Sequence, residues 1–553
     1  MSTIKISELA TGTVSSESLL AFADVNGLAS KGTIKQVIGN YVVNSLLDFD
    51  SLILNASTGV WMVISDITLD ANKTIPAGVT LQFRDAKINL GGFTLTGTST
   101  KIDTGLTQIF DTSGNITGEW VINDFYPQWF GALGDGVTDD TSSLQATMDV
   151  ITSQIVSRVK IPKGVYNHTG ITLNFTTYAD SFRIIGDNPK ETVLNNTGSG
   201  DGFLIGGTIG LESTWGKVEG ISFKQTGNGL NGIKCVGVGR LQFVEVWSSG
   251  HGQSGFHYTN SWSPSFIRCR ADNNGDYGAY LEGGINHDIN GAYFEGGAYS
   301  SNTLDGVYIL GATDDDTISG EFVNVGFSNN IRNGVWCKTP GLTFIGCFFE
   351  FNQNCGVKIG DISDERSVFG IQLLGCFFDG RNIGGLNYST VIIEEANGVS
   401  FNGCNFKETD SCIEVDASSI NITVGSVAVC RRATGSTTNI VDLNGNLFTD
   451  NSKSLLLRAE SVQVGTNLLN TIQVESGQSG YRLDVTGNGA VSSSALVRLL
   501  KDNNVIAGIR NDGRLILDGA ISTAGTPTTI QNKIEIFDAS GTSLGWIPIW
   551  ANF

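Results

Sequence analysis

Three segments of the chain share one pattern: FVNVGFSNN at residues 322–330, FIGCFFEFN at 344–352 and LLGCFFDGR at 373–381. Each begins with an apolar residue, carries a small apolar residue at its fourth position and has an aromatic residue two positions later. The fourth residues of all the aligned segments are 23, 33, 22, 29 and 28 residues apart. Similarity at such a period indicates a repeat architecture. The other aligned segments are FIRCRADNN at 266–274, INGAYFEGG at 289–297 and FNGCNFKET at 401–409.

A second short apolar segment, usually opened by glycine, follows each repeat, as in GVYIL at Gly306 and GVWC at Gly334. The repeats lack the 3.6-residue periodicity that stacked helices require. The pattern therefore predicts an all-β fold, a right-handed, single-stranded parallel β-helix. Successive coils of such a helix lie about 4.8 Å apart, so equivalent residues stack in columns.

The fourth positions predict a buried column, because they hold only small apolar residues. We interpret the cysteines among them as buried spacers. No CxxC pair and no histidine at zinc spacing occurs, so neither a metal site nor another cofactor is predicted. The two predicted inward columns are Cys269, Ala292, Val325, Cys347, Cys376 and Cys404, and Phe294, Phe327, Phe349, Phe378 and Phe406.

Composition limits the possible functions. Of 553 residues, 71 are glycine, only 16% are charged, and the net charge is −20. Such an acidic balance disfavours nucleic acid and anionic membrane surfaces as partners. No apolar run approaches the roughly 20 residues of a membrane helix. The first residues, MSTIKISEL, do not form a signal peptide, so we expect the protein to be synthesised in the cytoplasm without export.

Four regions follow from the pattern. Residues 1–45 read as a small N-terminal module and 46–125 as a β region. Residues 126–430 carry the β-helix, and 431–553 read as a C-terminal β region with hairpins. The apolar stretch from Trp546 to Trp550 favours a contact between subunits, because it would otherwise be exposed.

The β-helix opens with the loop GALGDGVTDD at 131–140. We expect Asp140 or Thr141 to N-cap an amphipathic helix whose apolar face continues through Ile155. Such a helix would cover the open end of the coil stack. We interpret Asp135, Asp139 and Asp140 as turn and capping groups.

The segments WFGALGDGVTDDTSSLQATMD at 129–149 and VKIPKGVY at 159–166 resemble the opening signature of the pectate-lyase-like β-helix superfamily, as found in bacteriophage tailspikes. The start KISEL at 5–9 resembles the particle-attachment module of phage tail proteins. The ending at 534–550, IEIFDASGTSLGWIPIW, resembles their trimer-forming tails.

This resemblance implies a homotrimeric virion spike that binds and cleaves a bacterial surface polysaccharide, either capsular or O-antigen. It implies attachment of the N-terminus to the phage tail, its baseplate or an adaptor protein. The superfamily includes hydrolases, lyases and epimerases, so the resemblance leaves the reaction open.

Outward columns should flank the inward ones, because side chains alternate along a strand. One predicted column is rich in carboxylates and its neighbour contains three aromatic residues. The two columns are Asp272, Glu295, Ser328, Glu350, Asp379 and Lys407, and Arg270, Tyr293, Gly326, Phe348, Phe377 and Asn405.

Glycoside hydrolysis uses two carboxyl groups, one as acid and one as nucleophile or base. We predict Glu350 as the general acid. Asp379 on the next coil would lie about 5 Å away, near the separation of retaining enzymes. Glu295, predicted two coils away at about 10 Å, is the alternative partner and would suit inversion.

Six residues are predicted to bind substrate, because aromatic faces pack on sugar rings and charged groups bind hydroxyls. Trp247 belongs to the segment WSSGHGQSGFHYTNSW, in which His251 and Trp262 are further groove candidates. Alternatives remain at this point: a solvated acidic face, burial of Phe348 and Phe377 against another subunit, a polysaccharide lyase, or a non-catalytic adhesin. The six residues are Asp272, Arg270, Tyr293, Phe348, Phe377 and Trp247.

Overall fold

The computed structural model describes most of the chain up to residue 442 and five strands beyond it. The predicted N-terminal module falls largely outside the described residues, as do Ile155 and residues 549–553. The described ranges are 36–37, 40–152, 158–175, 181–207, 215–283, 290–311, 319–362, 368–380, 389–409, 411–416, 419–424, 427–432, 440–442, 495–501, 504–510, 515–516, 533–537 and 543–548.

A largely parallel seven-stranded sheet precedes the β-helix. Helix α1 (Leu46–Leu54) follows its second strand; Ser45 caps the helix by accepting a hydrogen bond from the backbone N–H of Asp48. Phe49 packs edge-on against the buried Trp61 with ring centroids 5.6 Å apart. The strands are Gln36–Val37, Asn40–Val43, Gly59–Val63, Lys73–Thr74, Val79–Phe83, Thr94–Asp103 and Asn115–Val121, and Ile67–Thr68 pairs separately with Ile88–Asn89.

The predicted capping helix is present as α2 (Thr141–Thr152), preceded by a 3-10 helix at Pro127–Phe130. Leu144 and Met148 on its apolar face are fully buried. Asp140 is buried just before the helix, where its carboxylate accepts the backbone N–H groups of Leu133 and Gly134 at 2.7 and 3.0 Å. Its side chain thus fixes the preceding loop, and burial raises the pKa of its carboxyl group.

The prediction of a parallel β-helix is confirmed, because three parallel sheets of 11, 12 and 11 strands run along residues 135–442. We name them sheets A, B and C in the order in which each coil visits them. Sheet A contains Arg158–Ile161, Phe182–Gly186, Gly216–Glu219, Gln242–Val244, Ser265–Ile267, Ala292–Glu295, Gly320–Val323, Leu342–Ile345, Gln372–Leu374, Ser400–Asn402 and Thr423–Val424. Sheet B contains Asp135–Asp139, Gly164–His168, Thr192–Asn196, Ser222–Gln225, Trp247–Ser249, Arg270–Asp272, Ala298–Ser300, Gly326–Ser328, Phe348–Glu350, Phe377–Asp379, Cys404–Thr409 and Val427–Arg432. Sheet C contains Ile171–Phe175, Phe203–Gly207, Ile233–Val236, Phe256–Thr259, Ala279–Glu282, Val307–Leu310, Asn333–Lys338, Cys355–Ile359, Ser389–Ile393, Ser411–Val415 and Ile440–Asp442, and Val368–Phe369 pairs with Ala396–Asn397 beside the coils.

Two inward columns of aromatic rings fill the core. On sheet A, Phe322 stacks between Phe294 and Phe344 with ring centroids 4.4 and 4.7 Å away. On sheet B, Phe349 stacks between Phe327 and Phe378 at 5.0 and 4.8 Å. These spacings match the distance between paired strands, so each of these rings lies directly on the ring of the coil before it.

One predicted alignment is wrong. Phe294 pairs with Phe266 and Phe322 on sheet A, so the segment 289–297 does not belong to the column of Phe327. Tyr299 occupies that place, because Ala271, Tyr299 and Phe327 are paired in register. The inward residues of sheet A from Phe266 to Phe401 are then separated by 28, 28, 22, 29 and 28 residues.

The corner between sheets A and B explains part of the glycine content. From Gly220 to Gly403, each coil turns there through a residue with positive φ, such as Gly346 at 61° and Gly375 at 63°. A side chain is strained in this conformation, so glycine is favoured. Arg268 and Glu245 nevertheless adopt it at 52° and are joined by an ion pair.

The corner between sheets B and C holds a buried ladder of asparagines. The side chain of Asn274 donates to the Oδ1 of Asn302 at 3.0 Å, and Asn302 donates to Asn330 at 3.0 Å. The same Oδ1 atoms accept backbone N–H groups of the preceding coil, and the ladder continues to Asn352. Its upper end is the backbone N–H of His251, which donates to Asn274. The ladder satisfies polar groups that would otherwise be buried without partners.

The cysteines in the described coils are free and buried, as the sequence predicts. Cys347, Cys376 and Cys404 form one inward column at the A–B corner, and burial raises the pKa of Cys269 to about 12. Cys269 belongs to the same column, and the corrected register places Gly297, instead of the predicted Ala292, on the next coil. These thiols therefore act as small apolar side chains.

The chain divides into two units, Met1–Gly465 and Thr466–Phe553. In the second unit, the antiparallel strands Ala495–Lys501, Asn504–Arg510 and Leu515–Ile516 form the hairpins expected from the sequence. Lys533–Phe537 pairs antiparallel with Ser543–Pro548. Trimer formation by this unit stays a prediction.

We expect Asn302→Ala to lower the free energy of unfolding by about 2–3 kcal/mol, because it leaves buried partners in the ladder without a hydrogen bond. Urea unfolding followed by circular dichroism measures the change. Asn402→Ala, at an exposed position on sheet A, is the control and should cost less than about 0.5 kcal/mol. Equal effects of the two substitutions would contradict the ladder.

Two buried histidines should make stability depend on pH. Burial lowers the pKa of His168 and of His251 to about 4, from an ordinary value of 6.5. Between pH 4 and pH 6.5 these histidines are protonated in the unfolded chain but stay neutral in the folded chain. Stability should therefore fall as the pH drops from 6.5 towards 4, by on the order of 3 kcal/mol per histidine.

The variant His251→Asn tests this, because asparagine is the residue that other coils place in the ladder. Its unfolding midpoint should change less between pH 6.5 and 4.5 than that of the wild type. An unchanged dependence on pH would show that His251 does not titrate in this range.

Candidate functional site

Seven of the predicted site residues share one surface, the outward side of sheet B, which we call the B face. Trp247, Arg270, Phe348 and Phe377 belong to one outward column, and the register of the strands places them on coils one, two, five and six of a series. A parallel column contains Asp272, Glu350 and Asp379. The register therefore brings these seven residues, which are distant in the sequence, onto one surface.

The two carboxylates predicted to act together are direct neighbours. Glu350 and Asp379 are register partners on adjacent strands of sheet B, about 4.8 Å apart along the coil axis. Glu350 is half-buried, whereas Asp379 is only 4% exposed. On the next coil, Lys407 donates to the Oδ2 of Asp379 at 3.2 Å. Glu350 is thus the more accessible of the two carboxyl groups, and Asp379 is buried in contact with an ammonium group.

Aromatic groups lie beside these carboxylates. Phe348 is 50% exposed and contacts Phe377 on the next coil with ring centroids 5.9 Å apart. Three coils away, the guanidinium of Arg270 lies 5.0 Å from the centroid of the Trp247 ring, in cation–π contact.

The two coils between these groups carry only small outward residues, so side chains project less far from the B face there than on the neighbouring coils. A strand spacing of about 4.8 Å makes the stretch from Arg270 to Phe348 about 14 Å long. The small residues are Ala298, Ser300, Gly326 and Ser328.

Glu295 and Tyr293 are corrections to the predicted site. Both lie on the outward side of sheet A, where Glu295 pairs with Ile267 and Val323. Tyr293 donates a hydrogen bond from its hydroxyl to Glu295 at 3.2 Å. Glu295 is therefore not the predicted partner two coils from Glu350, because its own coil places Ser300, and not Glu295, in that column.

The predicted groove of Trp247, His251 and Trp262 is not formed. His251 is buried at the end of the asparagine ladder, and only Trp247 of the three projects from the B face. Trp262 pairs with Gly239 in the connection that leads into sheet A.

Sequence reasoning missed a row of aromatic residues on the outward side of sheet C, the C face. Tyr280 stacks on His257 and on Tyr308 with centroid distances of 4.9 and 5.4 Å. Trp336 continues the row at 5.1 Å from Tyr308. The rings cover one another's faces, so they offer their edges to solvent.

Cations surround the end of this row. Arg332, Lys338 and Lys358 each lie 4.5–4.8 Å from the centroid of the Trp336 ring. Each also forms an ion pair, namely Arg332 with Asp305, Lys338 with Asp361, and Lys358 with Glu394.

Desolvation dominates the titration of the buried members of the C face. Burial raises the pKa of Asp305, although Arg332 and Asn333 act in the opposite direction. Burial likewise lowers the pKa of His257, although Glu282 opposes it. The three ion pairs balance the charges around Trp336 on the C face.

The sequence contains a pattern that predicts the aromatic row of the C face, because each aromatic residue follows a glycine and one inward residue, as in GVYIL and GVWC.

In the described part of the chain, no group of three or more His, Cys, Asp or Glu residues could hold a metal ion. The two described α-helices are also too short or too polar to cross a membrane.

No protein-family model and no curated protein matches the sequence. Solved structures with a similar course of the chain include ORF18 of Geobacillus virus E2, with 16% identity and a TM-score of 0.45 over 59% of this chain and 60% of that one. The enzymatically active domain of tailspike protein 2 of bacteriophage CBA120 matches with 13% identity and a TM-score of 0.42, over 55% of this chain and 48% of that one.

The A-module of the mannuronan C-5 epimerase AlgE6 of Azotobacter vinelandii is also similar, with 16% identity and a TM-score of 0.34 over 56% of this chain and 99% of that one. The chain spans less than two thirds of the length of the two viral structures. The assignment of a parallel β-helix rests on the register of this chain's own strands.

A pair of neighbouring phenylalanines tests the orientation of the B face. Phe349→Ala should lower the free energy of unfolding by about 3–5 kcal/mol, because it removes a ring from the buried column. Phe348→Ala should cost less than about 1 kcal/mol, because its ring is half exposed. Chemical denaturation of both variants gives the comparison, and a larger loss for Phe348→Ala would show that the strand faces the other way.

Proposed function

We propose that the protein is a bacteriophage tailspike that binds a bacterial surface polysaccharide, capsular or O-antigen, and depolymerises it by glycosidic hydrolysis. We further propose that it acts as a homotrimer on the virion, joined to the tail through its N-terminal residues. The resemblance of residues 129–166 to the opening of tailspike β-helices supports this assignment. The observation that carries the reaction is the in-register pair of Glu350 and Asp379 beside an exposed aromatic ring.

Glu350 is suited to the role of general acid, because it is the accessible carboxyl group of the pair. It would donate its proton to the glycosidic oxygen as the bond to the anomeric carbon breaks. The proton therefore leaves with the departing sugar.

Asp379 is suited to the second role, because its carboxylate lies beside Glu350 and forms an ion pair with Lys407. Its carboxylate would stabilise or attack the developing oxocarbenium ion. The coil spacing of about 4.8 Å lies close to the 5–5.5 Å of retaining enzymes. Water would then release the second sugar while Glu350 recovers its proton.

Phe348, Phe377, Trp247, Arg270 and Asp272 would bind the polysaccharide along the B face. Phe348 offers an apolar surface to the C–H groups of a sugar ring. The low stretch between Arg270 and Phe348, about 14 Å long, has room for two to three sugar units.

A lyase reaction is less well supported on this face. Elimination requires a base and a cation that neutralises the carboxylate of a uronate. Of the two cations in the predicted outward columns, Lys407 is engaged with Asp379, and Arg270 lies three coils from Glu350. An adhesin with the same fold would bind the polysaccharide without breaking it.

Glu350→Gln should reduce turnover at least about a hundredfold while glycan binding is retained, because a lost general acid costs at least that factor. Release of reducing ends from capsule or O-antigen of the host measures the rate. Glu245→Gln, which changes an exposed carboxylate at the A–B corner, is the matched control and should keep the wild-type rate.

Each other outcome is informative. Undiminished turnover of the Glu350 variant would remove Glu350 from the mechanism. Ultraviolet absorbance of an unsaturated product would identify a lyase. Intact polysaccharide after incubation with the wild-type protein would leave an adhesin.

A further inference from the structure

An open cleft of about 330 Å³ lies on the outward side of the first coils of sheet A. Its walls include Arg158, Arg183, Lys217, Arg240 and Trp215, and we call it the basic cleft. It uses none of the residues of the B face or the C face. Its volume falls at the lower end of the range of ligand pockets, about 300–1,000 Å³, and suits one or two sugar units.

The cleft concentrates positive charge in an acidic protein. Arg158, Arg183 and Lys217 are register partners on three successive coils, so three cations stack in one outward column. Only 34 of the 553 residues are lysine or arginine, and the net charge is −20. Like charges about 4.8 Å apart repel one another, so such a column is unfavourable unless anions compensate it.

The carboxylates at the cleft compensate it only in part. Asp124 pairs with Arg158 at 2.7 Å, and Glu219 is shared between Arg183 and Lys217, whose ammonium group lies 2.5 Å away. Four cations therefore face two carboxylates across the described residues. The excess of two positive charges favours an anionic ligand.

Arg240 supplies the cation that these carboxylates do not neutralise. Its guanidinium lies 4.8 Å from the ring centroid of Trp215 and 5.6 Å from that of Trp262, in cation–π contact with both indoles. None of the ion pairs among the described residues includes Arg240. The stacking orients the side chain while its N–H groups stay available to an acceptor.

Trp215 adds an apolar surface to the same place. Its side chain is 55% exposed at the wall of the cleft. A ligand that carries both an anionic group and an apolar ring face would satisfy both features, and a sugar with an acidic substituent has this chemistry.

We infer that the basic cleft binds an anionic sugar unit, through Arg240 and Lys217 to its charged group and through Trp215 to its ring. The anion is a carboxylate, as in a uronic acid, or a phosphate ester. That the ligand is a sugar rests on the proposed function. The site would make the protein select acidic polysaccharides and hold them at a place separate from the reacting bond.

Nuclear magnetic resonance titration with three probes tests the inference: methyl glucuronide, glucose 6-phosphate and methyl glucoside. The Glu350→Gln protein is used, so that binding is read without turnover and independently of the proposed reaction. Binding of either anionic probe at least about tenfold tighter than the neutral glucoside supports the site, and the preferred probe identifies the anion. Equal affinity for all three, or no binding of any, overturns it.

Arg240→Asn should weaken binding of the anionic probe at least about tenfold, because it removes a charge-assisted contact. Arg268→Asn is a matched control, since both arginines are exposed and have positive φ, 56° and 52°. It should bind like the parent protein. If Arg240→Asn does not fold, Lys217→Gln replaces it with the same expectation, and unchanged affinity in the folded variant contradicts the inference.

Discussion

The stacking of inward side chains in register is the constraint on which the rest of the structure depends. Each coil packs its inward side chains on those of the preceding coil, as Phe322 does between Phe294 and Phe344. Burial of one such side chain contributes about 1.5–3 kcal/mol, and a shift by one residue would expose the whole set. The asparagine ladder adds a polar requirement, because its buried amides find partners only when consecutive coils are aligned.

Function follows from the same constraint, because the register converts distance along the sequence into proximity on the surface. Glu350 and Asp379 are 29 residues apart in the chain and adjacent on the B face. The three sheets carry different chemistry. Sheet B presents the carboxylates with exposed phenylalanine, sheet C a charge-balanced row of aromatic rings, and the first coils of sheet A an excess of positive charge. A protein of net charge −20 can therefore carry a local site for an acidic glycan, because short-range contacts decide binding.

Much of this could be predicted from the sequence where the repeats are regular. The segments from 322 to 409 share inward phenylalanines, so their register and the neighbourhood of Glu350 and Asp379 follow directly. The segment 289–297 is an exception. Its residues Ala-Tyr-Phe match the small-apolar and aromatic positions of the sheet B segments, but they belong to sheet A. Tyr299 takes the place of phenylalanine in the sheet B column, so a search for phenylalanine at this position does not identify the correct register. Regular spacing did carry a signal, since the correct register gives intervals of 28 and 28 residues in place of 23 and 33.

The basic cleft lies beyond this kind of prediction. Arg240 and Trp215 come from connections between strands, which have no repeat to align, and only folding brings them together with Arg183 and Lys217. The C face is an intermediate case, because its residues follow a regular pattern whose outward positions had to be considered separately.

Disulfide formation between pairs of introduced cysteines measures the register most directly. Ser300 and Ser328 are partially exposed register partners on adjacent strands, within the range that a disulfide spans. Ser300→Cys with Ser328→Cys should cross-link on mild oxidation, as read by mass spectrometry of proteolytic fragments, whereas Glu295→Cys with Ser328→Cys should not. A cross-link only in the second pair would contradict the corrected register and the separation of Glu295 from the B face.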